Sequence, residues 1–211
     1  MSALSLGTPH GQARALIHEA EAPRGVVVLG HGAGGGIAAR DLVEAKDVAL
    51  AAGLSVALVE QPYRVAGRRS APPARHLDLA WIAVVDALRA DWFHELPLVV
   101  GGRSSGARVA CRTAAATGAV GVLCLAFPLQ PPQGSLSGPR PSRLSELNAV
   151  EIDVLVVQGD NDRFGMPAVA PHRTVCIVPG DHSLRRGLDT AAPDVSEWLQ
   201  RIVRSTIRGG T

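Results

Sequence analysis

Short uninterrupted apolar runs alternate with longer segments of helical periodicity along this chain. "GVVVLG" (25–30), "LSVALVE" (54–60), "LPLVVGG" (96–102), "AVGVLCLAF" (119–127), "IDVLVVQG" (152–159) and "RTVCIVPG" (173–180) carry no polar alternation. Strands covered on both faces of a parallel sheet read this way. "ARALIHEA" (13–20) does alternate, which predicts an antiparallel edge strand. Between the runs, residues 38–52 place Leu42, Val43, Ala49 and Leu50 on one stripe. Residues 76–92 do the same with Leu77, Ala80, Trp81, Val84, Val85 and Leu88. Residues 105–117 are Ala-rich, and 193–207 open on Pro193, a first-turn residue. Strand–helix alternation predicts an α/β fold, a mostly parallel sheet flanked by helices. In such sheets ligands bind beyond the carboxyl ends of the strands.

The strand ends carry the candidate chemistry. "LGHGAGGG" follows the first run, and Gly30, Gly32 and Gly35 fit the G-x-G-x-x-G dinucleotide fingerprint, with Glu60 placed for a ribose. That reading leaves the other strand-end motifs unexplained. "VVGGRSSGARVA" puts G-x-S-x-G, Gly102 to Gly106, between a strand and a helix. This is the context of a nucleophile elbow, a sharp turn holding Ser104 at a helix N-terminus. The bland reading makes Ser104 a helix cap. The nucleophile reading demands an acid and then a histidine, each after a later strand, because a serine hydroxyl is a poor nucleophile without a base. "VVQGDNDRFG" offers Asp160 or Asp162, of which Asp162 is favoured, and "VPGDHSL" offers His182. His172 precedes a strand and lies at the wrong edge.

The glycine loop then acquires a role. Acyl transfer needs two N–H donors for a developing oxyanion. Ser105 supplies one, and the loop supplies the other from Ala33, with Gly34 as second choice. His31 becomes a residue that shapes the loop.

Composition narrows the function class. The hydrophobic fraction of the 211 residues is 46%, too high for a disordered chain, and the length favours one domain over 1–211. A net charge of +2, with scattered arginines, gives no basic stripe for nucleic acid. The longest apolar run, Val120–Leu129, falls well short of the ~20 residues a membrane helix needs. No basic start followed by an apolar stretch marks a signal peptide. Cys111, Cys124 and Cys176 are odd in number and read as reduced, buried thiols, which points to a cytoplasmic protein. They are not spaced as metal ligands, so neither a metal nor an organic cofactor is expected.

Taken together, "LGHGAGGG", "EQPYR", "GGRSSGARVA", "AFPLQPP", "QGDNDRFG" and "PGDHSL" resemble, in this order, the alpha/beta-hydrolase superfamily over about residues 24–207. More narrowly they are similar to its small dienelactone-hydrolase-like branch, which includes relatives associated with a histone acetyltransferase complex. The resemblance implies a sheet of about seven or eight strands. It also implies Ser104 as nucleophile, Asp162 as acid, His182 as base and Ala33 as an oxyanion donor. The elbow departs from the G-R-S-M-G-G-R of many members by placing polar Ser105 after the nucleophile. The expected activity is ester or related acyl hydrolysis on a small-molecule substrate, by a monomer or homodimer. The alternative is an interaction protein that keeps the fold without the chemistry. "PLQPPQGSLSGPRP" is short where larger relatives insert a lid, so no cap domain is expected. Arg64, Arg68, Arg69 and Arg75, in the loop after Glu60, and Arg103, beside the nucleophile, are candidate contacts for an anionic ester. The bland reading there is a solvated loop, with Arg103 paired to a carboxylate inside the fold.

Overall fold

The computed structural model describes residues 2–131, 141–185 and 188–209. Eight strands form one sheet: β1 Ser2–Thr8, β2 Gly11–His18, β3 Val26–Gly30, β4 Ser55–Glu60, β5 Leu98–Arg103, β6 Gly121–Leu125, β7 Asp153–Gly159 and β8 Arg173–Val178. Their order is β1-β2-β4-β3-β5-β6-β7-β8. The strands from β3 onward pair in parallel, while β1–β2 and β2–β4 are antiparallel.

The apolar runs are uninterrupted because successive residues feed two separate cores. Val26 and Val28 of β3 face one core and Val27 and Leu29 the other; Val154 and Val156 against Leu155 and Val157 repeat the division in β7. The first core is closed by α2 (Pro62–Val65), α3 (Ala74–Leu88), α4 (Ser105–Thr113) and α5 (Leu144–Asn148). The second is closed by α1 (Arg40–Ala51) and α6 (Leu188–Gly209). A strand covered on both faces has no solvent side to mark with polar residues.

Three expectations needed correction. β2 is antiparallel as expected, but it is not the edge; β1 pairs outside it over Ser2–Thr8. β1 is mostly exposed, with Leu6 its one buried side chain, so it carries too little apolar signal to read. Pro193 does not open the last helix but lies inside it. Leu188 and Ala191 bury fully against the second core. That packing extends the helix upstream at the cost of the bond a proline cannot donate. Cys111 and Cys124 are buried thiols with sulfurs 3.5 Å apart, whereas Cys176 on the edge strand β8 is only partly covered and donates to Asp194. Burial and the Asp194 carboxylate push the Cys176 thiol up to about 11.

Most of the proline-rich segment before Arg143, residues 132–140, lies outside the described residues. Among the described residues, α5 is the only helix between β6 and β7, and no helix is long and apolar enough to cross a membrane.

Candidate active site

The candidate loops converge on the carboxyl edge of the sheet around the β5–α4 turn, and Ala71, Pro72 and Ala74, from the segment between Arg64 and Arg75, line the cleft there. Ser104 joins β5 to α4 with φ 53° and ψ −108°, a conformation that side chains other than glycine rarely hold. Its N–H is tied to the Leu125 carbonyl at 2.9 Å, so the neighbouring strand fixes the strained turn. Ala126 and Leu184, also at positive φ, sit at the same edge. The flanking glycines are required by β3: a Cβ on Gly102 would stand 2.3 Å from the Gly30 carbonyl oxygen, and one on Gly106 would stand 2.2 Å from the same atom. The elbow is therefore packed against the start of the glycine loop.

Ser104 Oγ lies 3.0 Å from His182 Nε2, and His182 Nδ1 lies 2.8 Å from Asp162 Oδ2. The Asp162 side chain is fully buried. Its Oδ1 accepts from the Phe164 N–H at 2.8 Å, and its Oδ2 accepts a second bond from Gln158 Nε2 at 2.8 Å. With Nδ1–H donated to the carboxylate, Nε2 is left as an acceptor facing the serine hydroxyl. That is the geometry in which imidazole can take a proton from serine. The Phe164 ring packs edge-on against the imidazole, centroids 4.3 Å apart, and shields it from one side. Asp160 takes a different place: its Oδ1 accepts from the Gly180 N–H and from Asn161, which closes the turn before His182.

Ala33 and Ser105 line a cleft of about 260 Å³ together with Ser104 and Phe164. The loop carrying Ala33 is braced from β4 and α2. His31, 3% exposed, has Nδ1 at 2.8 Å from the Gly32 carbonyl and accepts at Nε2 from the Gln61 N–H at 3.1 Å. An Nε2 that accepts from an amide carries no proton, so His31 is neutral with its hydrogen on Nδ1. Burial lowers its pKa in the same sense. The Tyr63 hydroxyl donates to the Ala33 carbonyl at 2.9 Å. Glu60, the ribose ligand of the dinucleotide reading, instead pairs with Arg14 at 2.7 Å. Among the described residues, no group of three or more His, Cys, Asp or Glu side chains is gathered as a metal site.

A family model described as an alpha/beta hydrolase domain matches residues 23–206. The chain belongs to the alpha/beta-hydrolase family. Its eight-stranded, mostly parallel sheet with flanking helices is that family's fold. A serine hydrolase without lid from Xanthomonas campestris is 21% identical, covering 97% of this chain and 94% of its own, with a TM-score of 0.72. A dienelactone hydrolase from Anabaena variabilis is 18% identical, with coverage of 95% and 96% and a TM-score of 0.73. An esterase from Pyrococcus furiosus is 15% identical, with coverage of 95% and 90% and a TM-score of 0.76. At these identities the likeness is one of fold. No curated protein matches the chain.

Within this alpha/beta hydrolase the candidate anion-binding arginines needed correction. Arg103 turns into the fold: its Nε pairs with buried Asp41 at 2.8 Å, and its Nη2 donates to the His182 carbonyl at 3.2 Å. Burial pushes the Asp41 carboxyl up, and the Arg103 guanidinium opposes that rise. Arg103 is thus tied to Asp41 and to the histidine loop, and it is not among the residues that line the Ser104 cleft. Arg64 donates to the Arg68 carbonyl at 3.4 Å and does not line the cleft. Its neighbour Tyr63 takes the helix face toward Ala33, and adjacent helical residues point in different directions. Arg68 lines a neighbouring cavity of about 390 Å³ with His10 and His76, whose rings stack at 4.1 Å. The arginines that line the Ser104 cleft are Arg108, Arg112 and Arg143.

Gln158 was missed by sequence reasoning. It is fully buried, and the two N–H groups of its Nε2 are shared among three acceptors: Asp162 Oδ2, the Phe127 carbonyl at 3.1 Å and the Gly165 carbonyl at 2.9 Å. The one available signal was a glutamine inside an otherwise apolar strand run.

Proposed function

We propose that the chain is a serine hydrolase that cleaves an ester or related acyl bond of a small molecule through an acyl-enzyme. Ser104 Oγ attacks the carbonyl carbon while His182 Nε2 takes its proton. Asp162 holds the imidazole tautomer and stabilises the imidazolium. The Ala33 and Ser105 N–H groups donate to the oxyanion. As the tetrahedral intermediate collapses, the bond to the leaving oxygen breaks and His182 returns the proton to it. Water, deprotonated by the same histidine, then attacks the acyl carbon and restores the Ser104 hydroxyl. No cofactor enters the scheme.

The observation that carries this reading is the continuous chain of bonds from Ser104 Oγ through His182 to Asp162, with the serine on a strained turn. A fluorophosphonate probe tests it, since it reacts with an activated serine and needs no knowledge of the substrate. Labelling of the native chain and its loss in Ser104→Ala is the expected result. With a short-chain 4-nitrophenyl ester, the same variant should lose on the order of 10⁶ in kcat. A native chain that resists the probe, or a variant labelled equally well, would overturn the reading and favour an interaction role for the fold.

A further inference from the structure

Three arginines line the cleft around Ser104, and two carboxylates pair with two of them. Arg108, one turn along α4 from the serine, forms a two-pronged pair with Glu146 at 2.8 and 2.5 Å. Arg112, a turn further, does the same with Asp78 at 2.9 and 2.6 Å and also reaches Glu146 at 3.3 Å. Arg143, at the start of α5, has no carboxylate partner among the described residues. Its Nη1 donates to the backbone carbonyls of Pro128 and Gln130, at 3.2 and 3.4 Å. Those bonds orient the guanidinium but give it no direct carboxylate pair among the described residues.

That charge is held at a cost. Arg143 is half-buried; burial lowers its pKa, Arg108 and Arg112 act in the same sense, and the Glu146 carboxylate opposes them without reversing the direction. A solvated arginine on a loop would avoid both penalties. Glu146 and Asp78 are bonded to Arg108 and Arg112, so three guanidinium groups share two carboxylates and Glu146 offsets the Arg143 charge only from a distance. A guanidinium has five donors in a planar fork, and two backbone carbonyls on one nitrogen leave several unused. An incoming carboxylate meets that fork in bidentate fashion.

We propose that Arg143 is the specificity-determining residue of this cleft and that the preferred substrate is an ester carrying a carboxylate. The proposal rests on the serine-hydrolase reading for its chemistry. The group it assigns differs from the arginines legible in the sequence, none of which reaches the cleft in this role. Arg143 acts on binding and orientation, and the bonds made and broken remain those at Ser104.

The test compares matched 4-nitrophenyl esters of glutaric acid (one carboxyl left free) and of pentanoic acid. The expected result is a kcat/KM favouring the carboxylated ester by on the order of ten- to a hundredfold, the worth of a charge-assisted hydrogen bond. Arg143→Gln keeps an N–H donor for the two carbonyls and removes the charge. It should abolish most of that ratio, and Arg143→Lys should restore part of it. Binding of free glutarate to the native chain and to Arg143→Gln, read by calorimetry, needs no turnover. A chain that binds glutarate through Arg143 but hydrolyses no ester would overturn the hydrolase reading and leave this site standing. Equal kcat/KM for both esters in the native chain would overturn the proposal. So would a preference, or glutarate binding, that is unchanged in Arg143→Gln.

Discussion

The Tyr63 hydroxyl donates to the Ala33 carbonyl, so a one-turn helix after β4 holds the loop that faces Ser104. Together with the Gln61 N–H on His31, this bond ties the proposed oxyanion loop to residues 61–63. Tyr63→Phe keeps the ring and removes the bond. A neutral hydrogen bond is worth about 0.5–1.5 kcal/mol. We expect kcat on a simple ester to fall by roughly two- to tenfold, with KM little changed. A fall in KM affinity alone would place Tyr63 on the substrate and not on the loop.

His31 predicts a pH dependence. Its Nε2 accepts from the Gln61 N–H, so a proton there breaks the bond, and burial lowers its folded pKa below the ordinary 6.5. Between the two values the unfolded chain binds the extra proton and the folded chain does not. Stability is therefore greatest above about 6.5 and declines as pH falls from there toward the folded pKa. His18 shifts in the same direction but is less covered. Urea unfolding at pH 7.5 and 5.5 should show this loss. In His31→Gln, weaker overall, the difference between the two pH values should shrink.

The approach of Gly102 and Gly106 to the Gly30 carbonyl predicts a steep contrast among glycine variants. Gly106→Ala forces a Cβ to 2.2 Å from a backbone oxygen on a central strand. We expect a loss of about 3 kcal/mol or more, because backbone has to move. Gly36→Ala meets nothing within 4 Å and should stay within about 0.5 kcal/mol of the native chain. Thermal or denaturant unfolding of the two variants measures the contrast.

The proposed triad predicts that the two aspartates after β7 separate by function. Asp162→Asn leaves an amide against His182 Nδ1 and favours the wrong tautomer, so turnover should drop by about 10⁴. Asp160→Asn keeps an acceptor for the Gly180 N–H and should cost less than tenfold. Kinetics on one ester decide the matter, and reversed effects would move the acid role to Asp160.

What was legible in the sequence was whatever a short stretch of chain encodes by itself. β3 to β7 were readable because burial on both faces leaves an unbroken apolar run, β8 because its run stays apolar although this edge strand is half-exposed, and the helices showed their stripes. Ser104, Asp162 and His182, which the structure brings into one hydrogen-bonded chain, stood out as candidates because each sits just past a strand, in a loop whose own residues shape the turn. β1 was not readable, since an exposed strand lacks an apolar signature and is held by pairing with β2. The helix boundary at Pro193 was misplaced because packing of Leu188 and Ala191 outweighs a local preference.

The surroundings of the site depended on contacts far apart in sequence. Tyr63 meets Ala33, Arg103 meets Asp41, and Arg143 shares a cleft with Ser104. No local pattern tells which of the twenty-odd basic residues will find a carboxylate. Arg103, beside the nucleophile, turned inward to Asp41; Arg143, distant in sequence, lines the cleft bonded to backbone carbonyls and to no carboxylate among the described residues. A side chain's direction follows from its residue and its element, but its partner is set by the elements packed against it. For charged groups that partner decides whether the group braces the fold or faces a ligand, and here only the tertiary structure supplied it.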